Sequence, residues 1–71
     1  MRRIGAHRII TESATLQQAV VEISEGRVVN YYEFRDELPM TEWLGGTIIV
    51  RRDDDGILRA SKDGTLLVDD E

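Results

Sequence analysis

"VVEISEGRVVNYYEF", residues 20–34, is the stretch on which the fold turns. Two runs rich in β-branched and aromatic residues, 18–23 and 27–34, flank Ser24, Glu25 and Gly26. Such side chains suit the pleated, half-buried surface of a strand. The short link between the runs reads as a tight hairpin connection, in which Gly26 supplies the positive φ that the turn requires. In the second run, alternation predicts Val28, Asn30, Tyr32 and Phe34 on one face and Arg27, Val29, Tyr31 and Glu33 on the other. Neither face is cleanly polar, which predicts burial on both sides or one side kept for a partner.

Outward from the hairpin, residues 1–10 carry Ile4, Ala6, Ile9 and Ile10 and read as a first strand with imperfect alternation. The polar run "TESATLQQ", residues 11–18, reads as a loop. Residues 35–44 are irregular and acid-rich, with a helical turn predicted over 40–44, after Pro39. Gly45-Gly46 ends that turn. From Thr47 the pattern is regular again: "TIIVRR", "ILRAS" and "TLLVD" read as strands joined by turns at "DDDG" and "KDG", strong hairpin signals. Asp69-Asp70-Glu71 reads as a solvated acidic tail. The expectation is one small all-β domain over residues 1–71: a sandwich or partly open barrel of about six short strands.

A chain of 71 residues has a thin core, and no cysteine is present to staple it or to ligate a metal as thiolate. That usage fits a reducing compartment. Nine basic against fourteen acidic side chains give a net charge of −5, which argues against nucleic acid or an anionic membrane surface as partner. The Arg2-Arg3 pair is not followed by a signal-peptide apolar run, and no stretch approaches the ~18 apolar residues of a spanning helix. A cytoplasmic location is expected.

With these elements placed, the N-terminal half resembles the start of amidohydrolase-superfamily proteins. "RRIGAHRIIT" followed after a short gap by "AVVEISEGRVVNY" carries the likeness, through Ala6, Ile9, Ile10, Thr11, Val20, Val21, Ile23, Gly26, Arg27, Val28 and Val29. It covers residues 3–32, with a weaker echo at "WLGGTIIV"; "GILRASKDGTLLV" corresponds to the strands that return to the same domain. The resemblance implies a small β-domain of the kind built from both chain ends beside a metal-binding (β/α)8 barrel. The Pro-Gly-Phe step and the histidine-any-histidine metal motif expected after Val50 are absent, and His7, the single histidine, matches no ligand position. The implied protein is therefore the accessory β-domain without catalytic barrel, cofactor or metal.

The residues themselves lead to the same place. His7 lacks the spaced His or Cys partners of a metal site and reads as a half-exposed strand residue. Asp53, Asp54 and Asp55 offer clustered oxygens, yet their spacing is a turn and not a calcium loop, leaving at most weak cation binding. Glu33, Asp36, Glu37 and Glu42 near tyrosines and Trp43 have the residue types of a glycosidase pair, but so short a chain rarely encloses the cleft such chemistry needs. Ser13, Ser24 and Ser61 have no matching His–acid partner. No catalytic constellation assembles, so an enzyme is not expected.

More informative are Tyr31, Tyr32, Phe34, Trp43 and Leu44. Adjacent strand residues point to opposite faces, so one tyrosine lies away from the core. The same holds for Val20-Val21, Val28-Val29, Ile48-Ile49 and Leu66-Leu67, more apolar surface than one core consumes. These five residues are the expected interaction surface of a non-catalytic structural or interaction domain, working as a homo-oligomer or on a larger protein. The alternative is a small-ligand binding module using the aromatic and acidic middle segment. Gly26→Val is expected to lower the melting temperature, because a β-branched residue at positive φ costs about 1–2 kcal/mol; an unchanged melting curve would remove the turn assignment.

Overall fold

A computed structural model describes residues 1–36 and 40–69. The all-β expectation holds. Seven strands form one open mixed sheet: β1 (Arg2–Ile10), β2 (Thr15–Ser24), β3 (Arg27–Glu33), β4 (Glu42–Trp43), β5 (Thr47–Arg52), β6 (Leu58–Lys62) and β7 (Thr65–Leu67). Their order is β3-β2-β1-β5-β6-β7, with β4 paired to β1 as well. No described helix is long and apolar enough to cross a membrane.

Two hairpins are closed by two-residue turns. Glu25 and Gly26 have φ of 55° and 76°, and Asp63 and Gly64 have 53° and 81°. Positive φ at both central residues is the type I′ geometry, whose twist matches that of the flanking strands. A methyl group added at Gly26 would also come within 3.1 Å of the Arg59 guanidinium. The β5–β6 hairpin is organised by Asp53, whose Oδ1 accepts the amides of Asp55 at 2.8 Å and Ile57 at 3.0 Å.

Three expectations are corrected. Residues 15–17 belong to β2, paired with Arg8, Ile9 and Ile10, because the free edge of β1 satisfies their backbone better than a loop would. Residues 42–43 form a strand and not a helical turn: Glu42 and Trp43 run parallel to Ile4 and Gly5 and complete the other edge of β1. Pro39, which was to open that turn, lies outside the described residues, as do Glu37 and Leu38. Asp69 is no solvated tail residue, since its carboxylate accepts the amides of Glu25 at 2.9 Å and Gly26 at 2.8 Å. Asp70 and Glu71 lie outside the described residues.

A crease crosses the sheet. The β1–β2 register skips His7 and Gln18, and Gln18 has φ 49°. Beside them, Gly45 and Gly46 at φ 70° and 65° separate β4 from β5 along one edge of β1. The crease changes which residues face inward. Ile4 and Ala6 share the core with Ile9, and Ala19, Val21 and Ile23 share it with Leu16. This is the physical basis of the imperfect alternation in the first strand.

The sheet curls until β3 lies against β6, although no backbone ladder joins those two strands. Inside the curl, Ile4, Ile9, Ile23, Ile48, Val21 and Val50 are buried, with Val28, Ala60 and Leu67. Side chains close the seam. Arg59 donates through Nη1 to the Gly26 carbonyl and through Nε to Asp53 Oδ2 at 3.0 Å, while Asp69 caps the adjoining turn.

The hydrogen bonds to these carboxylates stabilise the charged form. The Asp53 carboxyl is held below its ordinary value by the Ile57 amide first and by Arg59 next; the Asp69 carboxyl is lowered by the amides of Gly26 and Glu25. A carboxylate with a lowered folded pKa contributes stability that is complete above its ordinary value and is lost as pH falls through the folded one. Melting temperature is therefore expected to be level near neutrality and to drop below about pH 4. Asp69→Asn should flatten that acid limb, as measured by melting curves across a pH series; an unaltered limb would show that Asp69 does not hold the turn.

Candidate functional site

The side of the sheet facing away from the core carries a second cluster. It starts from Val20, fully buried yet outside the core cluster, and from its neighbours Gly5 on β1 and Tyr32 on β3. Above Gly5 lies the Trp43 ring: a methyl group built on Gly5 would sit 2.8 Å from Trp43 Cε3. Gly5 is thus the residue whose bareness seats the indole on the sheet. His7 meets that ring edge-on, with centroids 4.9 Å apart at 89°, and Phe34 does so at 6.1 Å and 83°. Both are T-shaped contacts of the kind aromatic quadrupoles favour.

Two attachments put these rings together: the Phe34 amide donates to the Gln18 carbonyl at 3.0 Å, and the Leu44 amide, just after the β4 pairing with β1, donates to Gly5 O at 3.0 Å. Trp43 stays 49% exposed and Leu44 41% exposed, while Met40, at φ 59°, stands almost wholly in water.

The five residues named from sequence do not form one surface. Tyr32, Phe34 and Trp43 belong to the outer face, and Leu44 continues the exposed segment. Tyr31 packs against the core beside Val28. The cause is a β-bulge, in which Glu22 pairs Asn30 while Ile23 pairs Val28, leaving Val29 as the extra residue. The simple alternation predicted over 27–34 is thereby broken: Val28 and Tyr31 share a face, and Val29 stands half exposed. Tyr31 and Tyr32 do point to opposite sides, as their adjacency requires. Sequence reading missed the part played by His7 and Gly5, whose only signal was an unusual Gly and His within an apolar strand.

Polar groups rim this face. Glu22 Oε2 accepts from the Tyr32 hydroxyl at 2.8 Å and from Arg3 Nε at 3.0 Å. The hydrogen bond to Glu22, with desolvation and the carboxylate's charge, pushes the Tyr32 phenol above its ordinary value. Glu42 pairs with Arg2 through two bonds, at 2.7 and 3.0 Å, and that guanidinium holds its carboxyl below the usual range. Asp53 has both oxygens committed within its hairpin, and among the described residues no three His, Asp or Glu side chains come together as a metal site. A cleft of about 340 Å³ between Ile10, Thr11, Glu12, Ile49, Val50 and Arg51 contains none of the aromatic residues.

Comparison with protein-family models, curated proteins and solved structures finds no match to this chain.

Gly5→Ala is expected to displace the indole, shifting Trp43 fluorescence to the red and costing about 1–3 kcal/mol by overpacking. Combined with Trp43→Ala, the same change should cost much less; equal costs in both backgrounds would show that Trp43 does not set the limit at position 5.

Proposed function

We propose that this protein is a non-catalytic interaction domain that docks through the outer face of its sheet, with Trp43 at the centre of contact. The observation that carries this reading is an indole braced by Gly5, His7 and Phe34 and still 49% exposed. Rigid, half-exposed aromatic rings bring contact area with little further loss of side-chain freedom, and tryptophan is enriched among residues that dominate binding energy. Leu44 and Met40 extend the apolar area. The partner is a second copy of the chain or a larger protein, in the cytoplasm.

A role without chemistry is supported by what the carboxylates do. Glu22, Glu33, Glu42, Asp53 and Asp69 all accept internal hydrogen bonds. The carboxyls of Glu42, Asp53 and Asp69 move down, away from the range that suits a general acid at neutral pH. The reading accords with an accessory β-domain of the amidohydrolase type, whose task would be scaffolding.

The test compares Trp43→Glu with Tyr31→Glu. Light scattering and affinity capture on the wild-type chain should give a defined oligomer or a stoichiometric partner. Trp43→Glu should abolish that association in a chain that still folds, with a melting temperature lowered only in part, whereas Tyr31→Glu should unfold the chain. A wild-type monomer without partner, or association indifferent to Trp43→Glu, overturns the docking face. A fluorescence change of Trp43 on small-molecule titration would point instead to a ligand module.

A further inference from the structure

The tip of the β2–β3 hairpin differs from the ladders around it in how it is attached. At its base the bulge interrupts the β2–β3 register between Glu22 and Ile23, so residues 23–28 are joined to the rest of the hairpin across a break in the ladder. A bulge bends a strand and disrupts the ladder locally, which makes it a joint. At its far end, the tip meets β6 and the segment after β7 through side chains alone: Arg59 to the Gly26 carbonyl, and Asp69 to the amides of Glu25 and Gly26. Between the tip and the β5–β6 turn lies a cleft of about 220 Å³, lined by Arg27, Val28, Arg52, Gly56, Ile57 and Leu58. Val28 belongs to the buried core, and Leu58 packs against it.

We propose that residues 23–28 form a flap, hinged at the Val29 bulge and latched by Arg59 and Asp69, whose opening gives access to the apolar interior between β3 and β6. Closed, the flap holds Ile23 and Val28 in the core cluster against which Leu58 packs. Open, it gives up the terminal Arg2–Ile23 pair and leaves the rest of the β1–β2 ladder, with the β1–β5 and β5–β6 ladders, paired, because none of the latch contacts belongs to them. Opening therefore breaks three side-chain attachments and one terminal ladder pair and separates one apolar seam, where global unfolding dissolves every ladder. The uncovered surface carries Ile23, Val28 and Leu58, with Arg27 and Arg52 at the mouth of the cleft, and is distinct from the Trp43 face.

Native-state amide exchange tests this. Ser24 and Arg27 pair with each other below the turn and make no bond to Asp69, so their amides report the flap and not the latch itself. They should exchange about tenfold or more faster than the amides of the β1–β2 ladder, with little dependence on low urea, as local openings do. Asp69→Asn should accelerate Ser24 and Arg27 several-fold further and leave the β1–β2 amides unchanged. The proposal is overturned if the wild-type tip and ladder amides share one rate and one urea dependence, or if Asp69→Asn accelerates both sets alike.

Discussion

The Arg59 guanidinium holds together two parts of the sheet that the backbone does not join. A sheet of seven short strands buries a face only when it bends over that face, and here the two arms that meet, β3 and β6, share no ladder. Arg59 spans the gap, with the Gly26 carbonyl on one side and Asp53 on the other. Asp53 in turn shapes the hairpin that leads into β6, so turn and seam depend on the same carboxylate. Asp69 completes the closure by capping the amides that the Glu25-Gly26 turn leaves pointing outward. Charge-assisted hydrogen bonds of this kind are stronger than neutral ones, and they stand where ladder bonds are missing.

Curling also requires the sheet to bend along its strands, and the crease at Gln18, His7 and Gly45-Gly46 supplies that bend. Ile9 and Leu16 enter the core on one side of it, Ala6 and Ala19 on the other. The same crease makes room on the outer face. Where β4 gives way to β5, Gly45 lies beside His7 and Trp43, and the indole settles on the bare backbone of Gly5. The fold's bend and its aromatic cluster are thus one feature seen from two sides.

Core and outer face differ in kind. The core consists of buried aliphatic side chains with Tyr31 packed against them, whereas the outer face combines a few aromatic rings with ion pairs at its rim, Arg3 with Glu22 and Arg2 with Glu42. An exposed ion pair such as Arg2–Glu42 contributes little to stability, and its main effect is to fix geometry and solubility around the rings. The part-buried Arg3–Glu22 pair also holds the Tyr32 hydroxyl. A surface with an aromatic centre and polar margin has the anatomy of a protein interface, which is why the interaction reading rests on Trp43 and not on the acidic residues nearby.

By itself the sequence determined what short-range chemistry dictates. The hairpin turns at Gly26 and Gly64, most strand runs, the all-β class and the opposite facing of Tyr31 and Tyr32 follow from φ preferences and a two-residue period, which involve neighbours only. Tertiary structure decided whatever needed a distant partner. Glu42 and Trp43 became a strand because the edge of β1 required one, and Asp69 became a cap because a turn some forty residues earlier came to lie beside it. Val28 and Tyr31 came to share the core because a bulge, a property of two strands together, shifted the period between them. Of the candidate surface, Trp43 was legible as an aromatic residue in a polar segment. Its seat on Gly5 was not, since a close approach between residues 38 positions apart leaves no periodic trace in the sequence.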